Sequence, residues 1–493
     1  MIEKRLNSDG FVRPTLESEL PSKQAEYRLR KQWKTASRRK NHNSIKIAVK
    51  ELDHYLNQLI PLFRWSRSQD TYMALKLYCR GVILPTRRKT MSSIARRMNV
   101  NENVIQQFIS DSPWDHHEVI MNSMKAMNNH LSSQDTIVVV DDTGQKKEGK
   151  KSPGVGRQYT GTLGKTDNCQ VIVASIFAIP NESYNASANY WPADMELYIP
   201  EDWFVDQSRR EEAGIPLDIE FRTKHQIALE QVQIIHDAKI PHRAICSDAG
   251  YGSDGGFRQD LREMIEPYTM AVQLSHLSVV PEYTPIILPE DTSDGERPRK
   301  YPHLPKGVKS ETVEKIIKRI EESQWERVTW NEGTKGDLWG DFVRMRVRGC
   351  KGQRPTDEIG WLVLERTSKQ ELKAHICWGL DSLSLADLVG IIHLRWTVEQ
   401  TFKQMKREVG IADFEGRKWL GWHHHVALAI LTYCFLVLMR AICVDDNQHL
   451  PSLAQMRREF VRRFVRRCLE LKFKLSSDEA DKAIDDMPWI LPD

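Results

Sequence analysis

Two short apolar runs that each end in an aspartate are the feature that most constrains the fold. The β-branched run from Thr136 to Val140 leads into Asp141 and Asp142, and the run from Ala244 to Ser247 leads into Asp248. Runs of this length and composition are typical of buried strands, and mixed α/β sheets carry their sites at the carboxyl ends of parallel strands. The sequence therefore predicts a mixed sheet with these carboxylates at one edge.

The first run does not decide which of its two aspartates faces the site. Side chains alternate between the two faces of a strand, so Asp141 and Asp142 point in opposite directions and only one of them can be a ligand. We favour Asp142 and keep Asp141 as the alternative. Asp248 precedes two glycines, so its alternative interpretation is an ordinary Asp-Gly-type turn.

A helical stretch supplies a third carboxylate, Glu399, four residues after Arg395 and seven before Lys406. At about 100° per residue, the three side chains fall within about 40° of one another on one helix stripe. Such a stripe can ligate a metal while its cations hold a phosphate backbone. The alternative is a solvated Arg–Glu pair at i,i+4, which is common on helix surfaces.

Asp142, Asp248 and Glu399 together predict one metal site. Two carboxylates at strand ends and one on a helix suit a pair of Mg²⁺ ions, with Mn²⁺ as a substitute, for in-line phosphoryl transfer. The chain contains no P-loop or dinucleotide fingerprint, so we expect no nucleotide cofactor. The run His423–His425 is not expected to bind zinc, because successive helical residues point about 100° apart.

Hydrophobic periodicity predicts an α/β chain of 493 residues with two or three domains, built from a mixed sheet, an antiparallel β insertion and flanking helical regions. The expected parts are a poorly ordered segment at 1–22, a helical DNA-binding region at 23–130, the first part of the core at 131–250, a mostly β insertion at 251–383, the helix of the third acid with a packing helix at 384–445, and a basic helical C-terminus at 446–493. Strands are predicted over 136–140, 155–162, 170–179, 243–247, 342–348, 360–365 and 371–379, helices over 225–238 and 311–322, and an irregular loop over 190–215.

Within the first helical region, residues 89–109 form two short amphipathic segments joined by a polar turn. This arrangement resembles a helix-turn-helix, and its alternative is the packing of an ordinary helical hairpin. Lys and Arg cluster at 23–50, where ten of them accompany one acid, and at 457–467, where six Arg accompany one Glu. Such clusters predict a polyanionic partner, and the alternative for each is a solvated helix face.

The eight cysteines are scattered without a CxxC pair, so we expect reduced thiols in a cytoplasmic protein. The N-terminus lacks the apolar run of a signal peptide. The most hydrophobic stretch, Val426 to Met439, is shorter than the roughly 20 apolar residues of a membrane span, so a buried helix is predicted.

The combination of motifs resembles bacterial insertion-sequence transposases of the RNase H-like DDE superfamily. Arg395-x3-Glu399-x6-Lys406 looks like their YREK signature, with Ile392 where the signature has tyrosine. The combined pattern is closest to the branch named after insertion sequence seven-zero-one. The supporting stretches are 111–115, 139–144, 156–165, 248–252, 416–417 and 422–425.

The resemblance implies an RNase H-like core and a cut-and-paste transposase that cleaves transposon ends and joins them to target DNA. It implies that Asp142, Asp248 and Glu399 hold two Mg²⁺ ions, and that Arg395 and Lys406 position the DNA backbone. In relatives the insertion can carry a Trp that stacks on a displaced base, for which Trp330 and Trp339 are candidates. Their alternative is packing inside the insertion. The partners implied are terminal inverted repeats and target DNA, bound by a homodimer in the bacterial nucleoid, without a membrane.

Two other functions fit the same residues. A transposase-derived regulator would bind terminal repeats without cleaving them, and the Ile392 departure keeps this alternative open. A metal-dependent hydrolase of another substrate would keep the acids but make no use of the basic clusters at the two ends of the chain.

Overall fold

The computed structural model describes residues 52–63, 70–84, 88–161, 164–180, 189–289, 300–333, 336–442 and 451–486. Within them, twelve strands form one mixed sheet. The strands are β1 (Ile137–Lys146), β2 (Gly156–Thr160), β3 (Lys165–Ile179), β4 (Asn189–Tyr198), β5 (Ala244–Ser247), β6 (Tyr268–Val272), β7 (Ser278–Pro281), β8 (Glu311–Thr312), β9 (Glu326–Gly333), β10 (Gly336–Lys351), β11 (Arg354–Thr367) and β12 (Leu372–Trp378).

One half of the sheet has the order β4-β3-β1-β5-β6. Strands β1, β3 and β4 pair antiparallel, and β5 and β6 continue in parallel with β1. The valines of β1 at 138–140 are fully buried, as expected for a central strand covered on both faces. This order confirms the predicted α/β class with a mixed sheet of the RNase H-like kind.

The other half is the antiparallel insertion, and it continues the same sheet rather than forming a separate one. Strand β12 pairs with β6, and β11, β10 and β7 follow in order. The hairpin of β9 and β10 extends from the same half. Strand β6 pairs in parallel with β5, so the core extends beyond the boundary expected at residue 250.

A helical segment at 52–57 opens the described residues, and fifteen α-helices follow it. They are α1 (Asp70–Ile83), α2 (Met91–Met98), α3 (Glu102–Ser110), α4 (His116–Leu131), α5 (Asp202–Val205), α6 (Gln207–Ala213), α7 (Lys224–Asp237), α8 (Ala249–Gly252), α9 (Gly255–Glu263), α10 (Val313–Ile317), α11 (Leu385–His393), α12 (Trp396–Gln404), α13 (Trp419–Ile442), α14 (Leu453–Phe473) and α15 (Ser477–Asp485). A π-helical turn, Met405–Val409, continues α12.

Helix α13 is the centre of the helical layer. It packs against α1, α3, α4, α14 and strand β4. It is long and apolar enough to cross a membrane, but 94% of its most apolar stretch is buried inside the protein, as in a core helix. Its three histidines bind different partners: His423 faces Glu196, His424 the carbonyl oxygens of Ile109 and Trp114, and His425 the hydroxyl of Tyr78. These bonds join the N-terminal helices to the core.

The predicted pair of short helices is α2 and α3, and both pack on α1. Thr90 caps α2, Asn99 ends it in the left-handed conformation at φ 54°, and Asn101 caps α3. Polar residues at 99–101 therefore make the tight connection that the pattern predicts. The buried side of α3 packs on α13, so these helices are joined to the core rather than separated from it.

Two local predictions were wrong. The Trp-rich stretch 190–215 contains β4 and two short helices instead of an irregular loop, because Tyr190 and Trp191 are buried against the rest of the core. The helix expected over 311–322 is only the five-residue α10, preceded by the two-residue strand β8.

The basic C-terminal cluster is largely engaged in ion pairs within the protein. Arg457 pairs with Glu408, and four further arginines of α14 pair with acids of α14 and α15. This favours the alternative interpretation of a paired helix face over a free basic patch. The basic cluster at 23–50 and the segment 1–22 lie outside the described residues. The seven cysteines within the described residues are all free thiols.

Candidate active site

Asp141 and Asp248 are neighbours across two parallel strands. In the pairing of β1 with β5, Val140 lies beside Ser247, so the next step along both chains brings Asp141 beside Asp248. Register neighbours project from the same face of a sheet. The two carboxylates therefore share one face at the carboxyl end of β5.

That face is the one covered by α11 and α12. Cys246 projects from the same face as Asp248, two residues earlier, and its thiol lies 3.9 Å from the carbonyl oxygen of Ile391 in α11. Helix α12 follows directly and packs against β1. Arg395, which precedes its first turn, thereby reaches Asp141, and Glu399, within that turn, lies beside Arg395.

Backbone amides hold Asp248 in place. Its Oδ1 accepts hydrogen bonds from the N–H groups of Gly250 at 2.9 Å and Tyr251 at 3.3 Å, which caps α8. Both bonds use Oδ1, so Oδ2 takes no part in the cap. Gly252 lets α8 lie directly on β6, because a Cβ there would collide with the carbonyl oxygen of Ala271. The glycines after Asp248 thus fix a carboxylate at the strand end rather than making a simple turn.

Arg395 joins two of the carboxylates. Its Nη1 donates to Oδ2 of Asp141 at 3.2 Å, and its Nη2 donates to Oε1 of Glu399 at 2.8 Å. Burial raises the pKa of Asp141 to about 8, the neighbouring Asp248 carboxylate adds to the rise, and Arg395 opposes it. The arrangement is a group of carboxylates that need a cation and have a guanidinium in contact with two of them.

Asp142 lies on the opposite face. Its Oδ2 accepts a hydrogen bond from Lys224 Nζ at 3.0 Å, and Lys224 stands in the first turn of α7. The capping box of Thr223 and Gln226 starts that helix and sets the position of Lys224. Of the two aspartates that the sequence leaves open, the contacts with Arg395 and the register with Asp248 favour Asp141, whereas the sequence analysis favours Asp142.

Lys406 lies farther from Glu399 around the helix than the stripe predicts. Helix α12 ends at Gln404, and the π turn that follows carries Lys406, so the rotation per residue changes before it is reached. Its Nζ donates to Oγ1 of Thr143 at 2.9 Å and lies 3.4 Å from the carbonyl oxygen of Gly144. Burial lowers the pKa of Lys406. Lys406 is therefore tied to β1 just beyond the two aspartates.

Both candidate tryptophans are on the β9–β10 hairpin, and each has one ring face covered. Trp330 stacks on His393 with ring centroids 3.5 Å apart and planes 7° from parallel. The guanidinium of Arg327 lies 3.9 Å from the ring centre of Trp339. Trp330 rests against the end of α11, two residues before Arg395, so the hairpin contacts the segment that leads into the site.

The sequence analysis did not find the buried carboxylate of Glu365, which contacts His393. Glu365 lies 3.4 Å from both His393 and His375. Burial opposes ionisation of Glu365, but hydrogen bonds from the two histidines outweigh it and hold the pKa of its carboxyl well below the usual range. These residues are distant in sequence and come from β11, β12 and α11, so no local pattern could join them.

The donor set fits a hard divalent cation, because Asp141, Asp248 and Glu399 offer only carboxylate oxygens. As placed, no three His, Cys, Asp or Glu side chains among the described residues are grouped closely enough to hold a metal ion. Within the site, the guanidinium of Arg395 lies between Asp141 and Glu399 and bonds to both. The residues present therefore suit such a cation by the chemistry of their donor atoms.

A mixed core in the order β4-β3-β1-β5-β6, with acids at adjacent strand ends and on the covering helix, defines the class of RNase H-like catalytic domains. Comparison with known families agrees. The family model described as DDE superfamily endonuclease matches residues 59–337, more than half of the chain, and the chain belongs to that family. The match includes Asp141, Asp142 and Asp248 and ends before Glu399.

A curated relative extends the similarity beyond that range. The probable transposase for insertion sequence element IS701 from Microchaete diplosiphon is 25% identical over 405 residues, which are 81% of this chain and 89% of the relative. This agrees with the branch that the motifs indicate.

Proposed function

We propose that this protein is a DNA transposase that cleaves transposon ends and transfers the freed strands into target DNA by a cut-and-paste route. The observation that carries the proposal is the pair of carboxylates at adjacent strand ends, Asp141 and Asp248, with Arg395 bonded to both Asp141 and Glu399. The similarity to a probable transposase over most of both chains supports it.

We propose Asp141, Asp248 and Glu399 as the metal ligands. When bound, a pair of Mg²⁺ ions would supply Lewis acidity and an activated oxygen nucleophile, first water and then a DNA 3′-hydroxyl. Asp248 is presented by the amides of Gly250 and Tyr251, and Asp141 by its place in the central strand. Asp142 forms an ion pair with Lys224 and thereby stabilises the position of β1.

Two cations beside the acids are proposed to receive the phosphate backbone. Arg395 presents a planar guanidinium that matches phosphate geometry, and its side chain is 32% exposed. Lys406 holds the end of β1 through Thr143 and adds positive charge there. DNA reaching the carboxylates would therefore meet positive charge on both sides of Glu399.

Recognition of the terminal repeats is proposed for the N-terminal helices. On α3, residues 102–104, 106 and 107 are exposed and Ile105, Phe108 and Ile109 are buried, so one face is free while the other packs. Asn103, Gln106 and Gln107 on the free face carry amides, which pair with adenine in the major groove. Base stacking by Trp330 or Trp339 stays a prediction, and a base analogue whose fluorescence changes on stacking would show which ring is used.

The testing experiment uses DNA that carries the repeats flanking this gene. Wild-type protein, Glu399→Gln and Asp248→Asn are incubated with it in Mg²⁺, in Mn²⁺ and in EDTA. The expected result is cleavage at the repeat ends that requires metal and is lost in both variants, while end binding is kept. Repeat binding without cleavage under every condition would indicate a regulator, and cleavage by both variants would remove these residues from the site.

Joining two transposon ends requires two active sites, so we propose a homodimer in the complex with DNA. The expected result is a cleaved complex that contains two chains and two repeat ends by light scattering. DNA as the substrate would place the protein with the bacterial nucleoid in the cytoplasm.

A further inference from the structure

Arg395 lies between two of the proposed metal ligands. Its two terminal nitrogens are divided between Asp141 and Glu399, at 3.2 and 2.8 Å. Bridging two carboxylates is also what a divalent cation does in such a site. The guanidinium and the metal are therefore alternative cations for the same oxygens.

The carboxylates of this face need a positive charge. Asp141 and Asp248 directly follow the last paired residues of β1 and β5, Val140 and Ser247, so two like charges lie at adjacent strand ends. Arg395 relieves this in the free protein by contributing one positive charge. A divalent ion at the same oxygens would bring two more charges next to the guanidinium, which like-charge repulsion opposes.

A second anion would allow the guanidinium to leave the carboxylates and keep a charged partner. The Arg395 side chain is 32% exposed and the Glu399 side chain is 61% exposed, so the pair lies at the open rim of the site, whereas Asp141 is 15% exposed. A DNA phosphate entering from that side offers a bidentate partner of the right geometry. Exchange of a carboxylate for a phosphate would free the carboxylates without leaving the guanidinium unpaired.

We propose that Arg395 neutralises the carboxylates in the protein without DNA and thereby blocks the metal site. When a transposon end binds, Arg395 pairs with a DNA phosphate instead. Metal and DNA therefore bind cooperatively. This inference rests on the proposed function. Because coupling between two ligands is reciprocal, bound metal must also tighten DNA binding by the same factor. The site would then acquire its metal only on a bound end, which limits cleavage elsewhere.

The test measures Mn²⁺ binding rather than catalysis. Free Mn²⁺ is followed by electron paramagnetic resonance with the full-length wild-type protein, Arg395→Ala and Arg395→Lys, each alone and with a pre-cleaved repeat-end duplex. Arg319→Ala is the matched control, because Arg319 also pairs with a glutamate, Glu311, on the surface of the insertion.

The expected result is that Arg395→Ala binds Mn²⁺ at least tenfold more tightly than wild type without DNA. The duplex should tighten Mn²⁺ binding to wild type by a similar factor and leave Arg395→Ala nearly unchanged. Arg395→Lys, which keeps the charge but loses the planar guanidinium, should lie between, and Arg319→Ala should match wild type. The DNA effect on wild type needs no variant, so a folding defect in Arg395→Ala would not spoil the test.

Equal Mn²⁺ affinity of wild type with and without the duplex would overturn the inference, as would an Arg395→Ala affinity no tighter than wild type. The Asp248→Asn variant separates this from failure of the proposed function. If Asp248→Asn abolishes Mn²⁺ binding while Arg395→Ala does not tighten it, the result supports the proposed metal site and rejects the proposed role of Arg395. If Asp248→Asn binds Mn²⁺ as wild type does, the proposed site itself is wrong.

Discussion

Lys224 holds Asp142 at 3.0 Å on the face of the sheet opposite the one on which Asp141 contacts Arg395. Two adjacent carboxylates therefore have different cationic partners. Alternation along β1 explains how adjacent residues reach opposite faces. The first prediction follows from this separation.

Asp141→Asn is expected to lower metal-dependent cleavage on the order of a thousandfold, because a lost ligand removes several kcal/mol of transition-state stabilisation. Asp142→Asn, combined with Lys224→Gln to avoid an unpaired ammonium, should lower it only about tenfold, as for a supporting residue. Single-turnover cleavage of a repeat-end duplex measures both. The reverse order of effects would return the ligand role to Asp142.

Gly252→Ala is expected to disturb the site through the backbone. The added Cβ would collide with the carbonyl oxygen of Ala271 and lie 2.8 Å from Cβ of Met270, so α8 must shift away from β6. Overpacking of this kind costs about 1–3 kcal/mol and here also displaces the cap of Asp248. The free energy of unfolding measured by urea denaturation and the rate of DNA cleavage should both fall.

The matched control for that change is Gly255→Ala, whose Cβ would meet its nearest neighbour, Nη2 of Arg258, at 4.0 Å. It should leave both measurements close to wild type. Equal behaviour of the two variants would show that α8 tolerates movement and that its contact with β6 does not position Asp248.

The ion pair of Arg457 and Glu408 is expected to stabilise the attachment of the C-terminal helix. The two groups lie 2.8 Å apart with side chains 6% and 3% exposed, and Arg457 Nε also donates to the carbonyl oxygen of Ile83. Arg457→Met removes the nearer of two arginines from a buried carboxylate and leaves Arg407 at 3.7 Å, which costs up to about 3–5 kcal/mol. Chemical denaturation should show this loss, and Arg458→Met, at an exposed position of the same helix, should change stability by about 0.5 kcal/mol or less.

The double variant Arg457→Met with Glu408→Gln tests the reason for that loss. Removing both charges should recover part of the stability, because the penalty comes from the buried carboxylate left behind rather than from the lost attraction. A double variant as unstable as Arg457→Met alone would instead assign the loss to the bond with Ile83.

Stability should depend on pH through Asp194. Burial raises the pKa of this carboxyl to about 6, and the nearby Glu196 carboxylate adds to the rise. The unfolded chain releases the proton near pH 3.9, whereas the folded protein keeps it until about pH 6. Its stabilising contribution is therefore full below about pH 4 and is lost as the pH rises through 6.

Asp194→Asn removes this titration. At pH 8 the variant should be more stable than wild type by roughly 1–3 kcal/mol, and the difference should shrink towards zero near pH 4. Urea denaturation at several pH values measures it. A difference that does not change with pH would mean that Asp194 is ionised in both states.

Several parts of the fold could be predicted because their signals are local. The valines before Asp141, the run before Asp248 and the apolar stretch of α13 each predicted an element that the structure contains. The stretch 190–215 was misjudged because β4 shows itself only through its pairing with β3 and its packing under α13, which are long-range contacts. The π turn at Met405 also could not be predicted from helical periodicity, because that pattern assumes a constant rotation per residue.

By itself the sequence determined the α/β class, the family resemblance and a short list of acids, because strand composition, helix spacing and turn residues act over a few neighbours. Only the tertiary structure shows that Asp141 contacts Arg395 whereas Asp142 contacts Lys224, since these partners lie about eighty or more residues along the chain. It also decided that Arg395 bridges Asp141 and Glu399, because that contact forms only when α12 is laid across the sheet. Local sequence patterns identify the candidate site residues, and long-range packing determines which of these residues contact one another.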